Sequence, residues 1–246
     1  MSLLFIKLGL TEVNILTDSL VTFEEEGITT MCNKAHCGRS FIVSGSGDQQ
    51  YVDKVLQAVK MLSTKCSYER AVNAVGKIIS NVEEPTGDTA ICIAGFNQAK
   101  DKMEVTALEY ENGTGDFVKS AVSAPDDKVV FLTYPAITDT ELMKSVGQHA
   151  KSMSYNNCRR ADACQYIGDT LNECIPKFRI GGELKLSSVI VESKYARALQ
   201  STVGYVAGVA ENLLGEKVCY TSTGIKVKGI DEDYDTIYST IKPDLR

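Results

Sequence analysis

The chain has 246 residues, 43% of them hydrophobic and 24% charged, and a net charge of −6. That is enough apolar material for one large domain or two small ones, and the acidic balance gives nucleic acid no basic surface to bind. Apolar runs such as residues 3–6 and 129–132 are far too short to cross a bilayer, and no signal peptide is expected, so neither membrane nor nucleic acid is an expected partner.

In chain order, residues 3–8 and 13–17 are apolar runs separated by a turn, the pattern of a hairpin. Residues 28–31 and 40–43 read as a second strand pair. The segment Ser44-Gly45-Ser46-Gly47-Asp48 interrupts the chain, and Asp48 suits the N-cap of a helix carrying Val52, Val55, Leu56, Val59 and Leu62 at helical spacing. Ser67 opens a second helix with Ala71, Val72, Val75, Ile78 and Ile79 on one face, and Pro85-Thr86-Gly87 closes that unit. Strands are expected at 89–96, 103–110, 117–122 and 129–134, with a turn at Asn112-Gly113.

A third helix starts at Thr138 or Asp139, and a fourth runs from about Arg160 to Cys174, ending at Pro176. Gly181-Gly182 leads into a strand at 184–191. Residues 195–214 read as a further helix softened by Gly204 and Gly208, 218–230 as final strands, and Asp231-Glu232-Asp233 as the opening of a polar tail. Sheets with helices outside them would bury this order as a single domain spanning 1–246, with 193–246 as a C-terminal helix-and-strand extension.

The eight cysteines include no Cys-x-x-Cys pair, and His36 and His149 lie away from any second thiol pair at finger spacing. Reduced, mostly buried thiols and no metal are expected. His36 and Cys37 are adjacent, but neighbours in a strand face opposite ways and are poorly placed to share a proton. The Gly45–Gly47 stretch lacks the Gly-Lys-Ser/Thr ending of a phosphate loop.

The chemistry concentrates in three residues. Ser2 directly follows Met1, Asp18 follows sixteen residues later at the end of an apolar run, and Lys34 sixteen after that. Removal of Met1 would leave a serine bearing both a hydroxyl and a free α-amine, which titrates near pH ~8 and can act as base for its own side chain. A lysine alongside would keep that amine neutral by charge repulsion, and an acid would hold the lysine.

With these residues in place, the chain resembles the proteasome β-type subunits among the N-terminal nucleophile hydrolases, over most of residues 2–192. The run from Ile15 to Thr22 looks like the family segment that carries its buried acid, at Asp18. Lys34 falls at the family's active-site lysine and Ser2 at its N-terminal threonine. Ser44 to Asp48 looks like the glycine-rich turn before the first helix, which makes Gly45 the candidate oxyanion donor. The hairpin around Ile91–Phe96 is also similar.

The resemblance implies an α+β, four-layer α-β-β-α sandwich and a cytoplasmic peptidase without metal or organic cofactor. It also implies a homo-oligomeric ring or stacked rings that take peptide or protein substrates, with an ATP-dependent unfoldase as a further partner. Two departures stand out. Where active relatives carry Gly-Ser-Gly before the third helix, this chain has Leu132-Thr133-Tyr134-Pro135. Where they place an acid and a serine before paired glycines, it has Lys177-Phe178-Arg179-Ile180. Those missing groups normally support the amine, so a catalytically inactive, self-assembling subunit is the alternative reading, and a small-molecule amidase on the same fold is a third.

Overall fold

A computed structural model describes residues 3–23, 28–62, 66–175, 180–192, 195–206, 208–211, 217–221 and 224–228; side chains are described outside 22–31 and up to 206. The strands are β1 (Leu4–Leu8), β2 (Glu12–Thr17), β3 (Leu20–Phe23), β4 (Ile28–Met31), β5 (Ala35–Cys37), β6 (Phe41–Ser46), β7 (Thr89–Asn97), β8 (Lys102–Tyr110), β9 (Phe117–Ser123), β10 (Val130–Thr133), β11 (Gly182–Glu192), β12 (Tyr195–Val206), β13 (Gly208–Glu211), β14 (Lys217–Thr221) and β15 (Gly224–Lys228). The helices are α1 (Gln49–Lys60), α2 (Tyr68–Ile79), α3 (Thr140–Ala150) and α4 (Arg160–Cys174).

Two five-stranded antiparallel sheets form the body: β10-β1-β2-β11-β12 and β5-β6-β7-β8-β9. β1 shows why they stack. All five of its residues are buried, yet successive side chains in a strand face opposite ways. Leu4, Ile6 and Leu8 therefore meet Ile42, Cys92, Ala94 and Val105 of the second sheet, while Phe5 meets Val146, Cys164 and Ile167 of α3 and α4. The second sheet repeats the scheme, with Phe41, Val43, Ile91 and Ile93 packed on Val52, Val55, Val72 and Val75 of α1 and α2. The packing order is α3/α4, first sheet, second sheet, α1/α2. Smaller sheets, β3-β4 and β13-β14-β15, complete the described residues.

Asp48 caps α1 by accepting from the Tyr51 N–H, Ser67 caps α2 and Asp139 caps α3. Two expectations are corrected. Strand 28–31 pairs with β3, its own hairpin partner, whereas β6 pairs with β5 and β7. Residues 195–206 form the strand β12, not a helix, and pair along the length of β11.

The reason is a register shift in that pairing, between Leu184 and Lys185, where Val203 is extra opposite the ladder. Ala196 and Ala198 face the second sheet, but beyond the bulge Val206 joins Val203 on the helix side. The broken alternation imitates a helical pattern. β12 is the edge of its sheet, and the Gln165 side chain covers that edge at Tyr205, donating to its carbonyl and accepting from its N–H.

Candidate active site

Asp18 lies just beyond β2 in the first sheet, and Lys34 just before β5 in the second. Their side chains meet between the sheets, Lys34 Nζ to Asp18 Oδ1 at 2.8 Å, with no side-chain exposure on either. The same oxygen accepts the Leu3 N–H at 3.1 Å, and Asp18 Oδ2 accepts the Gly181 N–H at 3.2 Å. Hydrogen bonds from the residue just before β1, from the segment leading into β11 and from Lys34 thus fix the carboxylate.

The flanking backbone is stitched as tightly. The Leu20 N–H donates to the Gly181 carbonyl and the Cys32 N–H to the Ser19 carbonyl, while Ser19 Oγ accepts the Glu183 N–H at 2.8 Å. On the other side of the pair, the Lys34 carbonyl accepts from Ser44 Oγ at 2.8 Å and from the Gly45 N–H at 3.3 Å.

A buried ion pair is a poor device for stability, because desolvating two charges offsets most of their attraction. Its retention here between the two sheets marks the spot as a candidate for chemistry. Thr17 Oγ1, buried next to Asp18, has no hydrogen-bond partner among the described residues. Cys32, close in sequence, is a poor nucleophile: burial, then the charge of Asp53, pushes its thiol up to about 11. Burial likewise pushes Cys37 up to about 11.

Of the residues singled out in the sequence, Asp18 and Lys34 are brought into contact and Gly45 is placed beside Lys34. Ser2 lies outside the described residues, as do Lys177, Phe178 and Arg179. The Gly45 N–H is donated to the Lys34 carbonyl rather than left open. The glycines of this turn also have packing reasons. A Cβ at Gly45 would sit 2.7 Å from Val52 on α1, and one at Gly47, whose φ is +109°, would sit 2.0 Å from the Asp88 carbonyl oxygen.

Gly181 and Ser44 are site residues that the sequence pattern did not single out for this role. The paired glycines were the available signal, since a Cβ at Gly181 would lie 3.1 Å from Leu20. Before α3, Tyr134 continues the edge of the first sheet, its N–H donating to the Leu4 carbonyl at 3.0 Å. Burial pushes its phenol well up. Among the described residues, no group of three or more His, Cys, Asp or Glu side chains is placed to hold a metal ion, and no helix is long and apolar enough to cross a membrane.

No family model and no curated protein matches the chain. Among solved structures it is similar to Anbu from Hyphomicrobium sp. strain MC1, in the form of a Gly-1 mutant, with a TM-score of 0.51 and 14% identity over 99% of this chain and 95% of that one. At that identity the likeness is one of fold.

Proposed function

We propose that the chain is a proteasome-like N-terminal nucleophile hydrolase that cleaves amide bonds, most naturally in peptides, once Met1 is removed. The observation that carries this reading is the fully buried Lys34–Asp18 pair, with the Leu3 N–H on the same carboxylate oxygen. Leu3 is one peptide bond from Ser2, so the charge pair lies within a few ångströms of the covalent attachment point of the candidate nucleophile. Anbu is proteasome-like and of the N-terminal nucleophile hydrolase class, which supports the family of the fold rather than the activity.

In this reading Ser2 Oγ attacks the substrate carbonyl carbon as the Ser2 α-amine takes its proton. The Lys34 ammonium holds the amine neutral, and Asp18 holds Lys34. The tetrahedral intermediate collapses, the C–N bond breaks and the leaving amine receives the proton. Water, deprotonated by the same amine, then hydrolyses the Ser2 ester. The Gly45 N–H serves the oxyanion by exchanging its 3.3 Å bond to the Lys34 carbonyl. The family resemblance extends the proposal to a cytoplasmic, homo-oligomeric ring or stacked rings, with an ATP-dependent unfoldase feeding protein substrates.

A second reading has its own support. Asp18 is satisfied by Leu3, Lys34 and Gly181, and Tyr134-Pro135 replaces the turn that assists the amine. A subunit that kept the fold and lost the chemistry would show both features. Intact mass spectrometry, followed by an electrophile that bridges amine and hydroxyl, separates the two. The enzyme reading expects loss of Met1 and one adduct on Ser2, removed by Ser2→Ala. Retained Met1, or no adduct on a processed chain, establishes the inactive reading.

A further inference from the structure

At the end of β6 away from Gly45, the β5–β6 hairpin turn and the last turn of α1 flank a half-open pocket of about 260 Å³, with Arg39 and Lys60 exposed at its rim. Its wall carries His36, Arg39 and Lys60, and Phe41 and Leu62 supply apolar surface. The hairpin aims these groups for local reasons. Gly38 lacks a Cβ because one would fall 2.3 Å from the Phe41 ring, and its N–H closes the turn onto the Phe41 carbonyl at 2.9 Å. His36 stands opposite Val43, a residue of the helix-facing core, so it faces α1.

No Asp or Glu lines the cavity, and among the described residues neither Arg39 nor Lys60 pairs with a carboxylate. In a chain of net charge −6, two permanent cations and a titratable imidazole around one cavity are an exception to the overall balance. The C-terminal end of α1 contributes about half a negative charge, too little to cancel two cations. Sequence order separates this place from the buried Lys34–Asp18 pair: Phe41 and Ser46 stand at opposite ends of β6, roughly 16 Å apart.

We propose that this cavity binds a phosphate group, free or as the end of a small phosphate ester, between Arg39, Lys60 and His36. A dianion matches two fixed positive charges, which a single carboxylate does not. The guanidinium fork, the ammonium and an imidazolium N–H suit three oxygens of one tetrahedral centre. Phe41 and Leu62 give the organic part of an ester a surface to rest on.

The site is coupled to protons. Burial, then Lys60, holds the His36 imidazole below its ordinary value. The charged or titratable groups around it are Lys60 on α1, Arg39 in the turn and the neighbouring Cys37 thiol on the opposite face of β5. A bound dianion reverses the repulsion and draws a proton onto His36, so binding of the dianion is coupled to proton uptake by the imidazole and raises its titration midpoint.

The chain has two histidines, and the other, His149, stacks on Tyr166 between α3 and α4; it is an internal control for an NMR titration of the imidazole signals. With inorganic phosphate added at constant ionic strength, the His36 signal moves, its titration midpoint rises and His149 stays still. Lys60→Ala and Arg39→Ala each weaken the response about tenfold, and Lys60→Gln repeats the result should the alanine variant be poorly folded. Tighter binding of phenyl phosphate than of inorganic phosphate assigns the site to esters, and equal binding to the free ion. A motionless His36 signal, an equal response to acetate or chloride, equal movement of His149, or full affinity in both Lys60 variants overturns the proposal.

Discussion

At the scale of single residues, the Asp18 carboxylate and the Lys34 ammonium each need the other. Lys34→Ala leaves a buried carboxylate with two backbone N–H groups and no counter-charge. Removing one member of a buried pair typically costs about 3–5 kcal/mol, so its denaturant midpoint should fall accordingly. The double variant Lys34→Met with Asp18→Asn should lose clearly less than the sum of the single changes, a coupling that a double-mutant cycle in urea reads directly. Strict additivity would mean that the 2.8 Å contact carries no energy. Glu104 offers a pH test. Burial pushes its carboxyl up, but hydrogen bonds from Lys100, Ser123 and Asn97 outweigh that and hold it below its ordinary 4.5. A carboxyl depressed in the fold contributes stability that is complete above its unfolded value and lost as pH falls through the folded one. Glu104→Gln should therefore lower stability above about pH 4.5 and flatten its fall below that pH, with the slope on the alkaline side unchanged. At this scale the sequence was most legible where charge must be buried: Asp18 and Lys34 stood out by type and spacing. Ser44 and Gly181 did not, because a hydroxyl that donates to a backbone carbonyl and a backbone N–H that donates to a carboxylate carry no charge for the sequence to reveal.

Helices and strands were legible according to whether their reasons are local. The caps at Asp48, Ser67 and Asp139 lie within a few residues of the helices they begin, and all three are present. Asp48 also accepts from the Thr86 N–H and hydroxyl through its second oxygen, so it pins the α2–β7 connection as well as capping α1. Asp48→Ala should cost about 1–2 kcal/mol in thermal or chemical unfolding. β12 was illegible for the opposite reason. Its conformation depends on β11, its register shift depends on a neighbour's backbone, and the residues that read as helical face two different layers. The partner of that strand on the helix side is α4, where Gly168 fits against Leu184 and Val206. A Cβ there would come within 2.7 and 2.8 Å of their methyl groups. Gly168→Val should destabilise by about 1–3 kcal/mol through overpacking, despite the better helix propensity of valine. An unchanged midpoint would show that α4 does not bear on the β11–β12 hairpin.

For the whole molecule, the layered order was accessible from the succession of strands and helices, but the pairing of layers was not. Periodicity tells which face of an element is apolar and not which other face covers it. The cysteines give a measure of the finished packing. Cys158 and Cys174 are exposed, while Cys92 and Cys164 are buried in separate cores, and burial pushes the Cys164 thiol up to about 12. Alkylation at neutral pH should therefore label Cys158 and Cys174 rapidly and reach Cys92 and Cys164 only at the rate of unfolding, read by peptide mass mapping. Light scattering tests the assembly part of the proposal. A ring of subunits gives a particle many times 26.8 kDa, and a monodisperse monomer would remove that part while leaving the fold untouched.

The position of the Asp18–Lys34 contact has a consequence for how this protein comes of age. One partner rides on each sheet, and the carboxylate is completed by Gly181, more than 160 residues along the chain from Asp18. The contact thus behaves like a logical conjunction, true only when both layers have docked in register and the distant segment has arrived. A nascent or half-folded chain holds every residue of the proposed machinery without the arrangement that would arm it. On the proposed function, competence is then certified by the architecture itself, and a chain that misassembles would stay harmless to its neighbours.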